Sequence, residues 1–382
     1  MTFLENIVYL DNSATTPVCS EAILEINSAL KSDFGNPSSL HFLGFNAEKR
    51  VTAAREAIAK TINASPEEIY FTSGGTEGNN TAIFGAAYAR KKRGNRIVTT
   101  VIEHPSVLEP VKRLESEGFE VIRIRPQSDG AIDEKSIFEA INDKTILVSI
   151  MLVNNETGAI LPVAAAKEAI ERKNAPAILH CDCVQAFGKT PINVNTLGAD
   201  IITASAHKIH GPKGVGFMYI KKGVTIKPLL LGGGQESGFR SGTEAVPQIC
   251  GLYGAVRALG DIGENLKSVT ALRDYAINRI KEENTAVINS PKGALPFVLN
   301  ISVEGWRSET LLHFLERENI FVSSGSACAK GKGSYVLNEM KLPRSRVDSA
   351  LRISFSRFNT FEDIDKLLTE IIKAKSVLRK VN

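Results

Sequence analysis

Short apolar runs alternate with longer amphipathic segments along the first 245 residues of the chain. The runs, rich in Val, Ile and Leu, predict strands at 7–10, 69–72, 96–101, 120–124, 146–151, 178–181, 200–204 and 215–220. Most are apolar at successive positions, which is typical of strands buried on both faces of a parallel sheet. Helical periodicity fills the intervals, at 39–62, 77–92, 107–117, 134–140 and 163–172. This order predicts an α/β fold with a large, mostly parallel sheet covered by helices.

The pattern changes near residue 245. A long helical region is predicted at 247–283, broken around residues 260–263 by two glycines. A strand (297–302), a helix (308–318), a strand (351–355) and a final helix (361–378) complete the prediction. We therefore expect a large domain at 15–245 and a smaller α+β domain at 246–382.

Composition narrows the class of protein. The chain has 382 residues, of which 43% are hydrophobic and 23% charged, so it is expected to be globular rather than disordered or fibrous. The net charge of +4 is spread along the chain, and we expect no direct binding of nucleic acid. Five cysteines, an odd number, argue against a secreted disulfide framework. With no leader pattern and no long apolar run, we expect a soluble cytoplasmic protein and no membrane contact.

Candidate chemistry begins at Lys208, in the segment Ser-Ala-His-Lys that directly follows the predicted strand 200–204. Parallel α/β sheets bind ligands at the carboxyl ends of their strands. A lysine there can form a Schiff base with a carbonyl compound when a desolvated site lowers its pKa. The alternative is an ordinary solvated lysine.

Asp182 directly follows another apolar strand, so its carboxylate is expected to be partly desolvated and to need a cationic or hydrogen-bonding partner. A protonated pyridine nitrogen would be one such partner. The alternative is a metal site built from His180, Cys181 and Cys183. Alternation along a strand puts the two cysteines on one face and His180 on the other, and zinc sites usually have Cys-x-x-Cys spacing. We therefore interpret both cysteines as packing residues and expect no metal.

Further segments add anion-binding and nucleophilic groups. Gly74 and Gly75 lie in a turn before a predicted helix, whose free N–H groups can bind phosphate. Cys328 lies among small residues and lysines, which favours an exposed loop and a thiolate. Arg352 interrupts an apolar strand, and its planar guanidinium matches a carboxylate. Two polar segments, Glu103-His104 and 154–158, also follow apolar strands and are expected at the same edge of the sheet.

Taken together, these segments resemble the class V aminotransferase group of fold-type I pyridoxal-phosphate enzymes, and within it the cysteine desulfurases of the NifS/IscS kind. The resemblance covers essentially the whole chain. It rests on motifs that occur in this order: YLDNSATTP at 9–17, FGNPS at 34–38, EH at 103–104, VNNE at 153–156, SAHK at 205–208, RSGT at 240–243, SSGSAC at 323–328 and SYVL at 334–337.

The resemblance implies a pyridoxal 5'-phosphate site. Lys208 would carry the cofactor, Asp182 would pair with its pyridine nitrogen, and Gln185 would bond its phenolic oxygen. His104 would stack on the ring and move protons. The implied cofactor-binding residues are Gly75, Thr76, His104, Asn155, Asp182, Gln185, Ser205, His207, Lys208 and Thr243, the last from a second subunit of a homodimer. Arg352 and Asn155 would hold the substrate carboxylate.

The implied reaction removes sulfur from L-cysteine, gives L-alanine and leaves a persulfide on the nucleophile Cys328 for a protein acceptor in iron–sulfur, thio-cofactor or tRNA pathways. The first 14 residues would join the small domain. Selenocysteine lyase, another class V lyase or an aminotransferase remain alternatives, as does a scaffold without cofactor. Cys183 stands where related enzymes usually have alanine, and the short basic segment after Cys328 leaves the acceptor open.

Overall fold

The structure, a computed structural model, describes residues 7–324 and 333–380. Its strands are β1 (Val8–Tyr9), β2 (Ile69–Thr72), β3 (Arg96–Thr100), β4 (Glu120–Ile124), β5 (Thr145–Ser149), β6 (Ile178–Asp182), β7 (Ile201–Ser205), β8 (Gly216–Ile220), β9 (Val287–Ile288), β10 (Val298–Ser302), β11 (Ile320–Phe321) and β12 (Ala350–Ser354). Its α-helices are α1 (Ser20–Ser32), α2 (Phe42–Ile62), α3 (Gly75–Arg90), α4 (Pro105–Ser116), α5 (Glu134–Ala140), α6 (Val163–Arg172), α7 (Val194–Leu197), α8 (Val246–Arg257), α9 (Ile262–Glu282), α10 (Ser308–Arg317), α11 (Tyr335–Glu339), α12 (Arg344–Asp348) and α13 (Phe361–Val377).

A seven-stranded sheet forms the centre of the large α/β part of the fold, in the order β2-β8-β7-β6-β5-β3-β4. All neighbours from β7 to β4 pair in parallel, and β8 runs antiparallel to the strands on both sides. Every residue of β5, β6, β7 and β8 is buried, as expected for strands covered by helices on both faces. The prediction of a large, mostly parallel sheet is confirmed.

A smaller antiparallel sheet, in the order β12-β10-β9, belongs to the second layer, with α9, α10 and α13. The N-terminal strand joins this layer, because β1 pairs in parallel with β11 and the bridge between Asp11 and Ser354 attaches the next residues to β12. On the same edge of β12, the edge that does not pair with β10, Ser323 bridges to Arg352. Residues from three distant parts of the chain therefore meet at the middle of β12.

The boundaries of most elements agree with the sequence predictions within a few residues, and the break between α8 and α9 falls at the predicted glycines. Helix α1 was missed, because Leu24 and Leu30 are exposed apolar residues that blur its amphipathic pattern. The two-residue strands β9 and β11 were also missed, since so short a run has no periodicity.

Helix α8 packs closely on α1 and α2. A Cβ atom on Gly254 would lie only 2.7 Å from the carbonyl oxygen of Glu21, so the glycine permits this close approach. Residues 246–257 thus contact helices from the first part of the chain. The domain boundary at residue 245 stays a prediction.

Candidate active site

A cavity of about 510 Å³ lies where the carboxyl ends of β3, β5, β6 and β7 face β12. That volume suits a small organic ligand. Ten of the predicted site residues line it: Gly75, Thr76, His104, Asn155, Asp182, Gln185, Ser205, His207, Lys208 and Arg352. Thr243 lies on an exposed loop and does not line the cavity of its own chain. Cys328 lies outside the described residues.

Lys208 reaches into the cavity from a short 3₁₀ turn after β7. Its Nζ donates to the carbonyl oxygens of Ser13 and Ala14 at 2.5 and 2.8 Å. Burial, reinforced by the positive charge of Arg352, lowers the pKa of Lys208 from 10.5 to about 8. A lysine so perturbed supplies a reactive neutral amine near neutral pH, whereas a solvated surface lysine does not.

Asp182 ends β6 with its carboxylate buried against the cavity. Oδ1 accepts from the backbone N–H of Val184 at 2.9 Å, and Oδ2 accepts from Asn79 Nδ2 at 2.7 Å. Burial raises the pKa of Asp182, although these hydrogen bonds and the nearby His104 and Lys208 oppose the rise. Both recorded donors are uncharged, so a cationic N–H in the cavity would still find a buried acceptor.

The N-terminus of α3 forms the wall of the cavity opposite β12. This helix begins at Gly75, and a Cβ atom there would lie 2.7 Å from Val184 Cγ2, so only glycine fits without a shift. The free N–H groups and the dipole of a 16-residue helix favour an anion at this point. His207 lies beside it, and burial together with Lys208 lowers the pKa of this imidazole to about 4. A neutral His207 can hydrogen-bond an anion without charge.

Arg352 projects from β12 with two of its nitrogens occupied. Nη2 donates to Asp11 Oδ1 at 2.8 Å, and Nη1 donates to the backbone oxygen of Asn155 at 3.1 Å. Its Nε and the Oδ1 of Asn155 are buried and have no hydrogen-bond partner among the described residues. Unpaired buried polar groups are rare in native proteins and often mark a ligand site. The ion pair with Asp11 was not predicted, although Asp11 lies in the quoted motif at 9–17.

Gln185 connects the site to a second buried lysine. Its Nε2 donates to the carbonyl oxygen of Ser13 at 2.9 Å, and its Oε1 accepts from Lys189 Nζ at 2.9 Å. Burial, with the charges of Lys208 and Arg352, lowers the pKa of Lys189 to about 7. Sequence reasoning missed Lys189, and the available signal was a lysine only four residues beyond Gln185 in an otherwise small and apolar segment.

The alternative metal site is not formed by the residues that the structure describes. Both ring nitrogens of His180 are within hydrogen-bond distance of hydroxyls, with Ser149 at 2.8 Å and Thr203 at 3.3 Å. Cys181 and Cys183 share a face, with their sulfurs 3.5 Å apart, and both are buried. Within 7–324 and 333–380, no group of three or more potential ligands has a metal-binding arrangement.

The family assignment follows from comparison with known proteins. The model of the family "Aminotransferase class-V" matches residues 8–367 of this chain, almost its whole length. The chain belongs to the class-V aminotransferases. This is a family of pyridoxal-phosphate enzymes.

Similar proteins align with nearly the full length of this chain. "Cysteine desulfurase IscS" of Clostridium botulinum is 43% identical over 378 residues, which cover 96% of this chain and 95% of the relative. The IscS of Methanosarcina thermophila is 40% identical and covers 98% of this chain and 93% of its own. A solved "NifS-like protein" superposes with a TM-score of 0.91 at 38% identity, covering 97% of this chain and all of the other. These likenesses confirm the fold class.

The residues of this class-V aminotransferase fit pyridoxal phosphate. The buried Asp182 carboxylate offers an acceptor for a ring N–H, α3 offers an anion site, and Lys208 offers an amine of lowered pKa. The unpaired Arg352 Nε and Asn155 Oδ1 leave groups for a further polar ligand. These donors and acceptors match the polar groups of the cofactor and of an amino acid.

The described residues on either side of the Cys328 segment contact this site. Before it, Ser323 and Arg352 exchange backbone hydrogen bonds, N–H to oxygen, at 3.1 and 2.6 Å. After it, the Ser334 hydroxyl donates to the buried Glu156 carboxylate, and the Tyr335 hydroxyl donates to the backbone oxygen of Glu103 at 2.6 Å. Both flanks of Cys328 are therefore attached to residues beside the cavity.

Proposed function

We propose that this chain is a cysteine desulfurase that uses pyridoxal phosphate, converts L-cysteine to L-alanine and passes the sulfur through Cys328 to a protein acceptor. The relatives named above support the activity. One observation carries the assignment of the site: three side chains face the same cavity. They are Lys208, whose pKa is lowered, Asp182, which is buried and accepts only from uncharged donors among the described residues, and Arg352, whose Nε has no partner among them. The first two suit the cofactor, and the third suits a carboxylate.

Bound pyridoxal phosphate supplies a conjugated ring that draws electrons away from the substrate Cα. Lys208 would hold the cofactor, and its amine, when free, would remain in the cavity. With a pKa near 8, that amine holds or gives up a proton at Nζ close to neutral pH. The Ser13 and Ala14 carbonyls accept from the free amine and keep it at the edge of the site.

Arg352 and Asn155 orient the substrate. The guanidinium binds the substrate carboxylate, while Asp11 holds its Nη2 edge and prevents the side chain from rotating away. The backbone of Arg352 is fixed on both sides, by pairing with Asn300 of β10 and by the bridge to Ser323. A fixed guanidinium sets the direction of the bound amino acid.

Cys328 performs the sulfur transfer. Its thiolate attacks the substrate sulfur, an S–S bond forms, the Cβ–S bond breaks with its electron pair remaining on the carbon side, and a proton completes alanine. The persulfide then passes to an acceptor thiolate. Lys330 and Lys332 are close to Cys328 in sequence and favour its thiolate. The acceptor is a protein of an iron–sulfur, thio-cofactor or tRNA pathway.

The test measures both products separately. Purified protein loaded with pyridoxal phosphate should form equal amounts of alanine and sulfide from L-cysteine under reductant. Cys328→Ala should abolish sulfide release, whereas the matched control Cys250→Ala, which changes a buried cysteine of α8, should not. Undiminished turnover of Cys328→Ala would refute the sulfur-transfer step. A higher kcat/KM for selenocysteine would instead favour the lyase, and 2-oxoacid formation the aminotransferase.

The cofactor assignment has its own test. Borohydride reduction followed by peptide mapping should place a pyridoxyl group on Lys208. Asp182→Asn should bind the cofactor but lower turnover by several orders of magnitude, because a neutral amide does not keep a pyridine nitrogen protonated. A chain that shows no pyridoxyl adduct would support a scaffold without cofactor.

The homodimer is part of the proposal. Thr243 is exposed and does not line the cavity of its own chain, which suits a residue that completes the site of a neighbour. Leu24, Phe34, Leu40 and Phe42 add exposed apolar surface on α1, α2 and the loop between them, of the kind that marks protein interfaces. Light scattering should give the mass of two chains, and a single-chain mass would exclude it.

The location of the protein in the cell stays a prediction. Among the described helices, none combines the length and apolar character needed to cross a bilayer. The cytoplasm is the location we propose, and the absence of direct nucleic-acid binding is likewise still a prediction.

A further inference from the structure

His104 forms the N-cap of α4, and its ring position is set by that helix end. Its Nδ1 accepts a hydrogen bond from the backbone N–H of Ser106 at 3.1 Å. A peptide N–H can only donate. Nδ1 must therefore offer a lone pair and carry no proton in this arrangement.

The Ser106 hydroxyl adds a second donor to the same nitrogen. Its Oγ lies 2.8 Å from His104 Nδ1 and 2.8 Å from Asn79 Nδ2. Asn79 Nδ2 has two hydrogens, and the other one goes to the Asp182 carboxylate at 2.7 Å. Because Asn79 donates to Oγ, the serine proton is left for Nδ1. The Asn79 orientation is fixed in turn, since Thr203 Oγ1 lies 2.5 Å from its Oδ1.

We propose that Ser106, with its hydroxyl oriented by Asn79, fixes His104 as the neutral imidazole whose single ring proton is on Nε2. Ser106 and Asn79 are then positioning residues. Asn79 also holds Asp182, so a single amide sets both the carboxylate meant for the ring nitrogen and the tautomer of the histidine.

The surroundings of His104 agree with a neutral ring. Burial lowers the pKa of His104, and Lys208 lowers it further, while the carboxylate of Asp182 acts in the opposite direction. The positive end of the α4 dipole also disfavours a charged imidazole. Of the described charged groups that act on the ring, only Asp182 favours the cation, and its carboxylate already accepts from Val184 and Asn79.

This tautomer assigns separate tasks to His104 and Lys208. Nδ1 is closed to a proton by two donors, so His104 meets the ligand as a hydrogen-bond donor through Nε2–H and not as a base. The proton of the substrate Cα must then go to another group in the cavity, and the Lys208 amine, with a pKa of about 8, suits this task. This division of tasks rests on the function proposed above, whereas the tautomer itself does not.

The experiment reads the tautomer directly. Protein labelled with ¹⁵N-histidine is studied by magic-angle-spinning NMR near neutral pH, with and without pyridoxal phosphate. The chain has six histidines, and the signals lost in His104→Gln identify His104. We expect an unprotonated, pyridine-like Nδ1 and a protonated, pyrrole-like Nε2, told apart by their couplings to the ring hydrogens.

Two variants on α4 test the positioning residue. Ser106→Ala removes one donor, so its Nδ1 signal should move toward the protonated position as the other tautomer becomes populated. Ser116→Ala, at the far end of the same helix, should leave the signal unchanged, because its hydroxyl bonds only Arg113.

Each outcome decides the proposal. A proton on Nδ1 in the wild-type protein, or an imidazolium, would overturn it whether or not Ser106→Ala folds. A Ser106→Ala spectrum identical to wild type would overturn the part assigned to the hydroxyl. Failure of the protein to make alanine would refute the proposed function without changing the NMR result.

Discussion

Replacing Lys189 by methionine should change the pH dependence of stability in a direction that the structure specifies. Lys189 is 5% exposed, and burial lowers its pKa from 10.5 to about 7. The unfolded chain therefore binds more protons than the folded protein between these two pH values. Stability rises with pH over that window, and the cost of burying the ammonium is fully present only below it.

The magnitude follows from the two pKa values. With 10.5 unfolded and about 7 folded, the buried lysine costs about 4 kcal/mol at pH 7 and about 2 kcal/mol at pH 9. Lys189→Met removes this cost but also loses the hydrogen bond to Gln185, worth about 1 kcal/mol for the neutral amine. The variant should be about 3 kcal/mol more stable than wild type at pH 7 and about 1 kcal/mol more stable at pH 9.

The assay is denaturant unfolding of both proteins at these two pH values, at the same cofactor saturation. The exposed Lys213, in the loop after Lys208, provides the control, since Lys213→Met should shift stability by less than about 0.5 kcal/mol at either pH. If the difference between Lys189→Met and wild type were the same at both pH values, Lys189 would not be a desolvated amine, and the reasoning would be wrong.

Three further substitutions probe the site and its supports. Arg352→Lys should raise KM for L-cysteine by about tenfold or more with a smaller effect on kcat, because an ammonium lacks the planar fork that lets arginine bind Asp11 and a carboxylate together. An unchanged KM would contradict the assignment of Arg352 to the substrate carboxylate. Ser334→Ala should cost about 1–3 kcal/mol in denaturant unfolding, and more above pH 7, because burial raises the pKa of Glu156 to about 7 and the ionised carboxylate needs the serine donor. If the variant and wild type were equally stable at pH 8, this reasoning would be contradicted. Gly254→Ala should cost about 1–3 kcal/mol by the same measurement, because its Cβ would meet the Glu21 backbone, whereas Gly263→Ala, which meets only an Asp261 side chain, should cost less.

The elements and the strand-end residues were predictable because each leaves a local signal. Apolar runs marked β5 to β8, and Asp182 and Lys208 directly follow or end such runs. Because the carboxyl ends of parallel strands lie at the same edge of a sheet, these side chains could be placed there without knowledge of the strand order. Roles such as those of Gln185 and Arg352 needed the family resemblance, since a glutamine or an arginine alone is compatible with many environments.

The supporting residues could not be predicted, because their partners are distant in sequence. Asn79 lies on α3 and bonds Asp182, 103 residues further along the chain. Asp11 meets Arg352 across 341 residues. Lys189 is visible in the sequence four residues beyond Gln185, but the hydrogen bond between the two buried side chains is not. These contacts depend on how β12 and the first strand dock against the large sheet, which local periodicity does not encode.

The energetics of the site and its chemistry have the same origin. Glu103, Glu156, Lys189 and Lys208 are ionisable groups whose pKa values burial moves toward neutrality. Glu156 and Lys208 line the cavity, whereas Glu103 and Lys189 hydrogen-bond residues that line it. Burying such groups costs stability, so a fold selected for stability alone would replace them with apolar residues. Their hydrogen bonds run to neutral donors and acceptors that leave charge free for a ligand, as at Asp182. Binding a cofactor with a cationic ring nitrogen and a phosphate would supply the missing partners. The wild-type protein should therefore gain stability on adding pyridoxal phosphate, and Asp182→Asn should gain less.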